Sequence, residues 1–452
     1  MRNLWYMVLI LPLLIGGCRP QTTPVVSTST ATSPPAPKPT EIRPTVKPTE
    51  TRLTLKPCTV VNGTIQAECG YFLVPEDRAH PKGRVLNLGM VVVRARDPNP
   101  EPDPLFYIAG GPGGAATSAG IVYSVSNLFN EINAKRDVIF LDQRGTNGKH
   151  RLICENPSFT IADAPQKRVD DWIEQCLTGL DGDPRFYTTA EAMRDLDEVR
   201  AAMGYDKINL YGISYGAAAD QVYMRMFPEH VRAVVIDHGT ALDLPLTIAR
   251  PRSVQSALDQ VFTYCEQDEK CHAAYPDIRG DWQAILDRLS KGPVVTRFTV
   301  PGETKPYQVS KDELIASALN LLYNSGTYTT IPNSVHTLAT TVDWTPLVEK
   351  SYNTQQSTGE QANGILLMAY MVECFEPWWG HDVAEIDRLN QGSFYREVEV
   401  KGAQSMQKIC EALPKPDPSL IYPPGKPVPL SALMLNSLLD PQNPPSNMDL
   451  AL

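Results

Sequence analysis

Between Asp206 and Asp237 the order of residue types leaves the chain little freedom. Asp206-Lys207-Ile208-Asn209-Leu210-Tyr211 reads as a buried strand and Gly212-Ile213-Ser214-Tyr215-Gly216 as a tight turn. Ala217 to Phe227 reads as a helix stopped by Pro228, and Val231 to Asp237 as the next strand. A G-x-S-x-G pattern in that setting pushes its serine out above the end of a sheet, and the flanking glycines let the backbone make the turn. The helix opening at Tyr215 would point its free N–H groups at any negative charge developing beside Ser214. The pattern therefore reads as a nucleophile on a strand-to-helix turn.

Upstream, Tyr71 to Pro75 and Val85 to Val93 read as early strands. Pro104 to Ala109 is a further buried strand that runs into Gly110-Gly111-Pro112-Gly113-Gly114. This loop has no Gly-Lys-Ser/Thr ending, so it is not a phosphate-binding loop. Its place before a serine turn suits a second oxyanion donor at Gly111, the first being the Tyr215 N–H. Asp137 to Gly145 reads as a strand ending in a charged turn, in which Asp142 and Arg144 brace the loops above the sheet. The alternation of strand, loop and helix through Asp237 predicts an α/β fold with a mostly parallel sheet and right-handed crossovers.

Gly110-Gly111-Pro112-Gly113-Gly114, Asp142-Gln143-Arg144-Gly145 and Gly212-Ile213-Ser214-Tyr215-Gly216, in that order, resemble the prolyl iminopeptidase and tripeptidyl aminopeptidase family of α/β-hydrolases. The usual histidine before the first Gly-Gly is Ala109 here. The resemblance extends through Cys265–Cys271 with Tyr275-Pro276 to Cys374-Phe375-Glu376 and Cys410, nearly all of the chain from Cys58 onward. It implies an α/β-hydrolase core over 57–243, a mainly helical cap over 244–426, and a return to the core over 427–452. Helical patterns at Ser253–Glu266, Asp281–Leu289, Lys311–Tyr323 and Gly364–Glu373 fit the cap. An aminopeptidase must recognise a protonated amine, which calls for a carboxylate. The resemblance points to Glu376 for that role, with Glu373 behind it; the paired aromatics Trp378 and Trp379 read as packing or pocket-lining side chains.

The strand Val428 to Ser437, followed by Leu438 to Pro445, matches the family segment that presents the triad acid. Asp440 is thus the expected acid, with Asp237 as the fallback. The family then places its histidine a few tens of residues later, after one more strand. No histidine follows Asp440 in this sequence, so the expectation is a core lacking its last strand and helix, with the base beyond Leu452. The seven histidines are His80, His150, His230, His238, His272, His336 and His381. His238 and His150 come nearest the serine turn, but neither is on a loop this fold uses for its base.

The amino terminus reads as an export signal. Arg2 precedes the apolar run Leu4–Ile15, too short for a comfortable membrane span, and Ile15-Gly16-Gly17-Cys18 resembles a bacterial lipobox. Residues 1–18 would be a signal peptide with Cys18 as the lipidated residue. Residues 19–56, rich in Pro, Thr and Ser, would form a disordered tether holding the protein at the extracytoplasmic face of a membrane. Eight further cysteines in an oxidising compartment suggest disulfides. Sequence neighbours make the simplest pairs (58–69, 154–176, 265–271, 374–410), with connectivity left open. No C-x-x-C or His-x-x-x-His spacing suggests a metal, and no cofactor is implied. A formal net charge of −10 argues against nucleic acid as a partner.

Together these features predict an exported, lipid-anchored serine hydrolase. The leading expectation is an aminopeptidase acting on short peptides through an acyl-enzyme on Ser214. Two other readings stand beside it: an esterase- or lipase-like hydrolase, and a non-catalytic lipoprotein that binds peptides.

Overall fold

The computed structural model describes residues 52–60, 63–239, 241–242, 244–323, 326–357, 365–380, 382–422 and 430–448. The signal and Cys18, the tether as far as 51, His381 and residues 427–429 lie outside the described residues. The expected tether ends too late at 56. Leu53–Val60 is already strand β1, paired antiparallel along its whole length with β2 (Ile65–Pro75). Leu53 and Leu55 pack on the main core, which is why those four residues are folded.

Strand β3 (Val85–Val93) continues the antiparallel edge, and β4 (Leu105–Ile108) and β5 (Val138–Leu141) are buried throughout. β6 (Ile208–Ile213), β7 (Val231–Asp237) and β8 (Ala432–Leu435) complete an eight-stranded sheet of order β1-β2-β3-β5-β4-β6-β7-β8. From β5 to β8 every pairing is parallel. Continuous apolar runs such as Val138-Ile139-Phe140-Leu141 demand cover on both faces, as buried parallel strands do. Val122, Val125 and Phe129 pack with Tyr107, Phe140 and Tyr211 on one face. The other face carries α1 (Thr189–Ala202) and α2 (Tyr215–Met226), which bury Val199, Val222 and Tyr223 against Phe106, Ile139 and Leu210.

Beyond β7 the chain becomes helical, as expected for a cap, and divides into two parts. α3 (Leu246–Gln267) and the helices Ile278–Ser290, Lys311–Tyr323 and Ile331–Thr340 enclose a separate core around Phe262, Trp282, Leu314 and Ile315. α4 (Leu367–Phe375) and α5 (Arg396–Ala412) instead add Met368, Met371 and Ile409 to the main core. α4 begins three residues later than the sequence pattern suggests, because Ile365-Leu366 first pairs as a short strand with Ile153-Cys154. All four neighbour disulfides close, 58–69, 154–176, 265–271 and 374–410, with Cα–Cα separations of 5.0–5.7 Å. No helix among the described residues is long and apolar enough to cross a membrane.

Candidate active site

The backbone around Ser214 can be built only with glycine on either side. Ser214 has φ 56 and ψ −119, a conformation that costs an ordinary residue about 1–3 kcal/mol. A Cβ on Gly212 would lie 2.3 Å from the Gly216 carbonyl oxygen, and one on Gly216 would lie 2.1 Å from that of Ile108. The Ser214 N–H donates to the Asp237 carbonyl at 2.9 Å, and the Ser214 carbonyl accepts from the Ala217 N–H at 3.0 Å. The turn is thus tied to the neighbouring strand on one side and to the first turn of α2 on the other.

The glycine loop lies directly against this turn. A Cβ on Gly110 would stand 3.1 Å from the Ser214 Cβ, and one on Gly113 would run into Leu366 at the start of α4. The loop closes on itself through the Gly114 N–H to the Gly110 carbonyl at 3.0 Å, with Gly111 at φ 124. Bare backbone is therefore wedged between the serine and the cap. The Asp142–Gly145 turn braces this arrangement, as the sequence suggests. Asp142 accepts from the Thr117 N–H and hydroxyl and from Asn147. Arg144, fully buried, forks onto Asp195 with two bonds of 2.8 Å and donates to the Glu76 and Phe186 carbonyls.

Asp440 sits just past the end of β8. It is buried, and its Oδ1 accepts backbone N–H groups from Gln442 and Asn443 at 2.8 and 2.9 Å. Burial pushes its carboxyl above the ordinary range, against the pull of those two donors. The imidazole nearest to it is His238, at φ 49, which with Ser214 makes up the two non-glycine residues at positive φ among the described residues. His238 Nδ1 lies 2.5 Å from Asp237 Oδ1, and the Tyr211 hydroxyl donates to Asp237 Oδ2. Burial opposes ionisation of Asp237, yet these two partners hold its carboxyl below the usual range. The Asp237 bond raises the His238 imidazole above its ordinary value, against burial and with help from Asp440. His150, the other histidine near the turns, lies against Arg84 (3.1 Å) beside the ion pairs of Arg84 with Glu76 and Asp181.

The two cap glutamates differ. Glu376 is 4% exposed, with Oε1 accepting the Thr189 N–H at 2.7 Å and Oε2 the Trp378 indole N–H at 3.1 Å. Thr189 Oγ1 lies 2.9 Å from the Tyr215 hydroxyl, and Tyr215 stacks on Trp378. Glu376 thus joins cap to core behind the Ser214 turn. Glu373, one helical turn earlier on α4, is half-buried. Burial pushes its carboxyl up to about 7, with Arg250 opposing.

Residues 103–263 match the family model described as the alpha/beta hydrolase fold. The core has the alpha/beta hydrolase fold. The chain is similar to a tripeptidyl aminopeptidase of Streptomyces coelicolor, 31% identical over 186 residues, covering 38% of this chain and 34% of that protein. It is similar to a serine protease of Mycobacterium tuberculosis, 23% identical over 283 residues, covering 57% and 53%. The match thus spans between about a third and a half of these relatives' length. A proline iminopeptidase structure from Mycobacterium smegmatis aligns over 82% of this chain and 91% of that one, at 13% identity and a TM-score of 0.31.

Within this hydrolase core, the structure brings Ser214, Gly110–Gly114 and the Asp237–His238 pair to one place, at the carboxyl ends of β4, β6 and β7. Sequence reasoning passed over one feature, Asp220 of α2. It is fully buried, and neither of its carboxylate oxygens has a hydrogen-bond partner. The signal was available: in Ala217-Ala218-Ala219-Asp220 an acid follows three small residues on the face that packs beneath the nucleophile turn.

Proposed function

We propose that the chain is an exported serine hydrolase of the aminopeptidase type, anchored to a membrane through lipid on Cys18. The observation that carries the catalytic part is the strained Ser214, pressed between a glycine loop and the amino end of α2. Ser214 Oγ attacks the carbonyl carbon of a short peptide near its amino terminus, and the carbonyl π pair moves onto oxygen. The N–H groups of Gly111 and Tyr215 receive that charge, in a site where preorganised donors are worth far more than in water. Collapse expels the amine and leaves an acyl-enzyme, which water hydrolyses. Asp440 supports the imidazole that handles these protons.

The free amine of the substrate is read by a cap carboxylate. Glu373, half-buried on α4 with its carboxyl raised by burial, is the candidate for this role, and Glu376 is held as the brace between cap and core. With its carboxyl at about 7, Glu373 ionises as pH rises through neutrality, and capture of a charged amine strengthens over the same interval. KM for free-amine peptides is therefore expected to fall from pH 6 toward pH 8 (about one unit either side), whereas N-acetylated peptides show no such change.

A fluorophosphonate probe tests the nucleophile. Labelling that vanishes in Ser214→Ala is expected, and an unlabelled wild-type chain would overturn the enzyme reading in favour of a peptide-binding role. Comparing tripeptidyl amides with short acyl esters decides the substrate class. Ester turnover without amide turnover would replace the peptidase reading with an esterase.

A further inference from the structure

We propose that the Tyr215 side chain is a positioning group for the oxyanion hole: it sets the direction of its own backbone N–H, and it takes its place from the cap through Trp378 and Glu376. This rests on the serine-hydrolase reading above and deepens it, by naming what holds one of the two donors assigned there.

Tyr215 opens α2, so its N–H has no intrahelical acceptor and is free for a substrate oxygen. A donor there is effective only if the Ser214–Tyr215 peptide cannot turn. One end of that peptide is held by the bond from the Ala217 N–H to the Ser214 carbonyl, at 3.0 Å. The other end carries the Tyr215 ring. A tyrosine side chain has few torsions, and pinning both its ring face and its hydroxyl pins the Cα–Cβ bond as well.

Both are pinned here. The ring stacks on Trp378, with centroids 5.9 Å apart and planes 30° apart. The hydroxyl donates to Gln143 Oε1 at 3.1 Å and lies 2.9 Å from Thr189 Oγ1. An amide oxygen only accepts, so the tyrosine proton goes to Gln143 and the threonine hydroxyl donates to the tyrosine oxygen. Gln143 belongs to the braced Asp142–Gly145 turn, and Thr189 is the first residue of α1. Burial raises the phenol above its ordinary range and Glu376 adds to this, so the hydroxyl keeps the proton that these bonds need.

The cap enters at the far end of the same network. Glu376 receives the Thr189 N–H on one oxygen and the Trp378 indole N–H on the other. One carboxylate thus ties together the residue under the Tyr215 ring and the residue at its hydroxyl. The first turn of α3 is bonded to the same segment. The Leu246 N–H donates to the Trp378 carbonyl at 2.9 Å, and the Thr247 N–H and hydroxyl donate to the Trp379 carbonyl at 3.2 Å. Thr189, Tyr215, Glu376 and Trp378 are all buried, where breaking a hydrogen bond leaves a polar group unsatisfied. A donor aligned in this way needs no reorganisation when charge develops on the substrate oxygen.

The test uses the full chain with a peptidyl trifluoromethyl ketone and the corresponding alcohol. The ketone adds to Ser214: Oγ bonds to the carbonyl carbon, the π pair moves onto oxygen, and the serine proton passes to the imidazole that Asp440 supports. The alcohol fills the same pocket without forming an oxyanion. Tyr215→Phe removes only the hydroxyl, and Thr189→Val removes the bond to it while keeping the N–H that Glu376 accepts. Circular dichroism and melting check that each variant is folded. In both, ketone affinity and kcat for tripeptidyl amides are expected to fall about 10-fold or more, below the roughly 100- to 1,000-fold cost of losing a whole donor. Alcohol affinity and KM stay unchanged. Glu376→Gln weakens the ketone in the same direction, through the cap.

Equal losses for ketone and alcohol would mean that Tyr215 only shapes the pocket. Ketone affinity unchanged in both variants would mean that the backbone alone aims the N–H. Either result overturns the assignment while leaving Ser214 as the nucleophile. A ketone weakened by Tyr215→Phe but not by Glu376→Gln would overturn the link to the cap. A wild type that binds the ketone no better than the alcohol overturns the nucleophile itself, and this inference with it.

Discussion

Asp195 on α1 and Asp220 on α2 are carboxylates at essentially zero exposure on neighbouring helices of one core, yet they are treated in opposite ways. Asp195 receives the Arg144 fork and a further bond from Arg78, in a cluster that also holds Glu191. Asp220 receives no hydrogen bond to either oxygen, and burial pushes its carboxyl well above the ordinary range despite the nearby Gly212 N–H. A buried charge persists only when paired; otherwise the group takes its neutral form. The first arrangement builds a rigid floor under the Asp142–Gly145 turn. The second places a neutral acid behind Gly212, the residue through which β6 enters the nucleophile turn.

The contrast can be broken most forcefully at Arg144. Arg144→Met leaves Asp195 with only Arg78 and removes the donors to the Glu76 and Phe186 carbonyls. A loss of about 3–5 kcal/mol is expected in denaturant unfolding, and a loss below about 1 kcal/mol would mean that the cluster behaves like a surface pair.

Asp220 gives the next largest effect, with the opposite sign. A carboxyl whose folded pKa is raised is most favourable below its unfolded pKa and costs stability as pH rises toward the folded value. Between those limits wild-type stability should fall by about 1.4 kcal/mol per pH unit from this group, starting near pH 4. Asp220→Asn cannot ionise, so the difference between variant and wild type should grow in favour of the variant from pH 4 to pH 7. A constant difference across that range would show that Asp220 is charged and paired.

Glu376 lies between the two cases, buried but with one donor on each oxygen. Glu376→Gln offers only one acceptor to the Thr189 and Trp378 N–H groups, and a cost of about 1 kcal/mol is expected. If its main effect were a rise in KM for free-amine peptides without loss of stability, amine recognition would move from Glu373 to Glu376.

The features read correctly from the chain are local ones. Gly212, Gly216 and the Gly110–Gly114 loop reveal themselves because only glycine fits where backbones touch, and the apolar runs of β4 to β7 follow from burial on both faces. The disulfides pair sequence neighbours; 58–69 is brought close by the β1–β2 hairpin and 265–271 by the turn at the end of α3, which short segments specify by themselves. The start of the folded part was misjudged because Leu53-Thr54-Leu55-Lys56 follows a polar stretch. Only pairing with Cys69–Phe72, a residue range reached after a turn, makes it a strand.

By itself, then, the sequence determined the glycine-flanked Ser214 turn, the glycine loop, the parallel core and the helical region after it, because each depends on residues close together in the chain. Tertiary structure decided what stands beside Ser214. His238 becomes its neighbour only through the β6–β7 register, and it meets the Asp440 turn only because β8 returns next to β7 after some two hundred intervening residues of the numbering (His238 to Asp440). The neutrality of Asp220 and the roles of Glu373 and Glu376 likewise follow from burial and from the donors within reach. Those are properties of packing, which no short stretch of residues encodes.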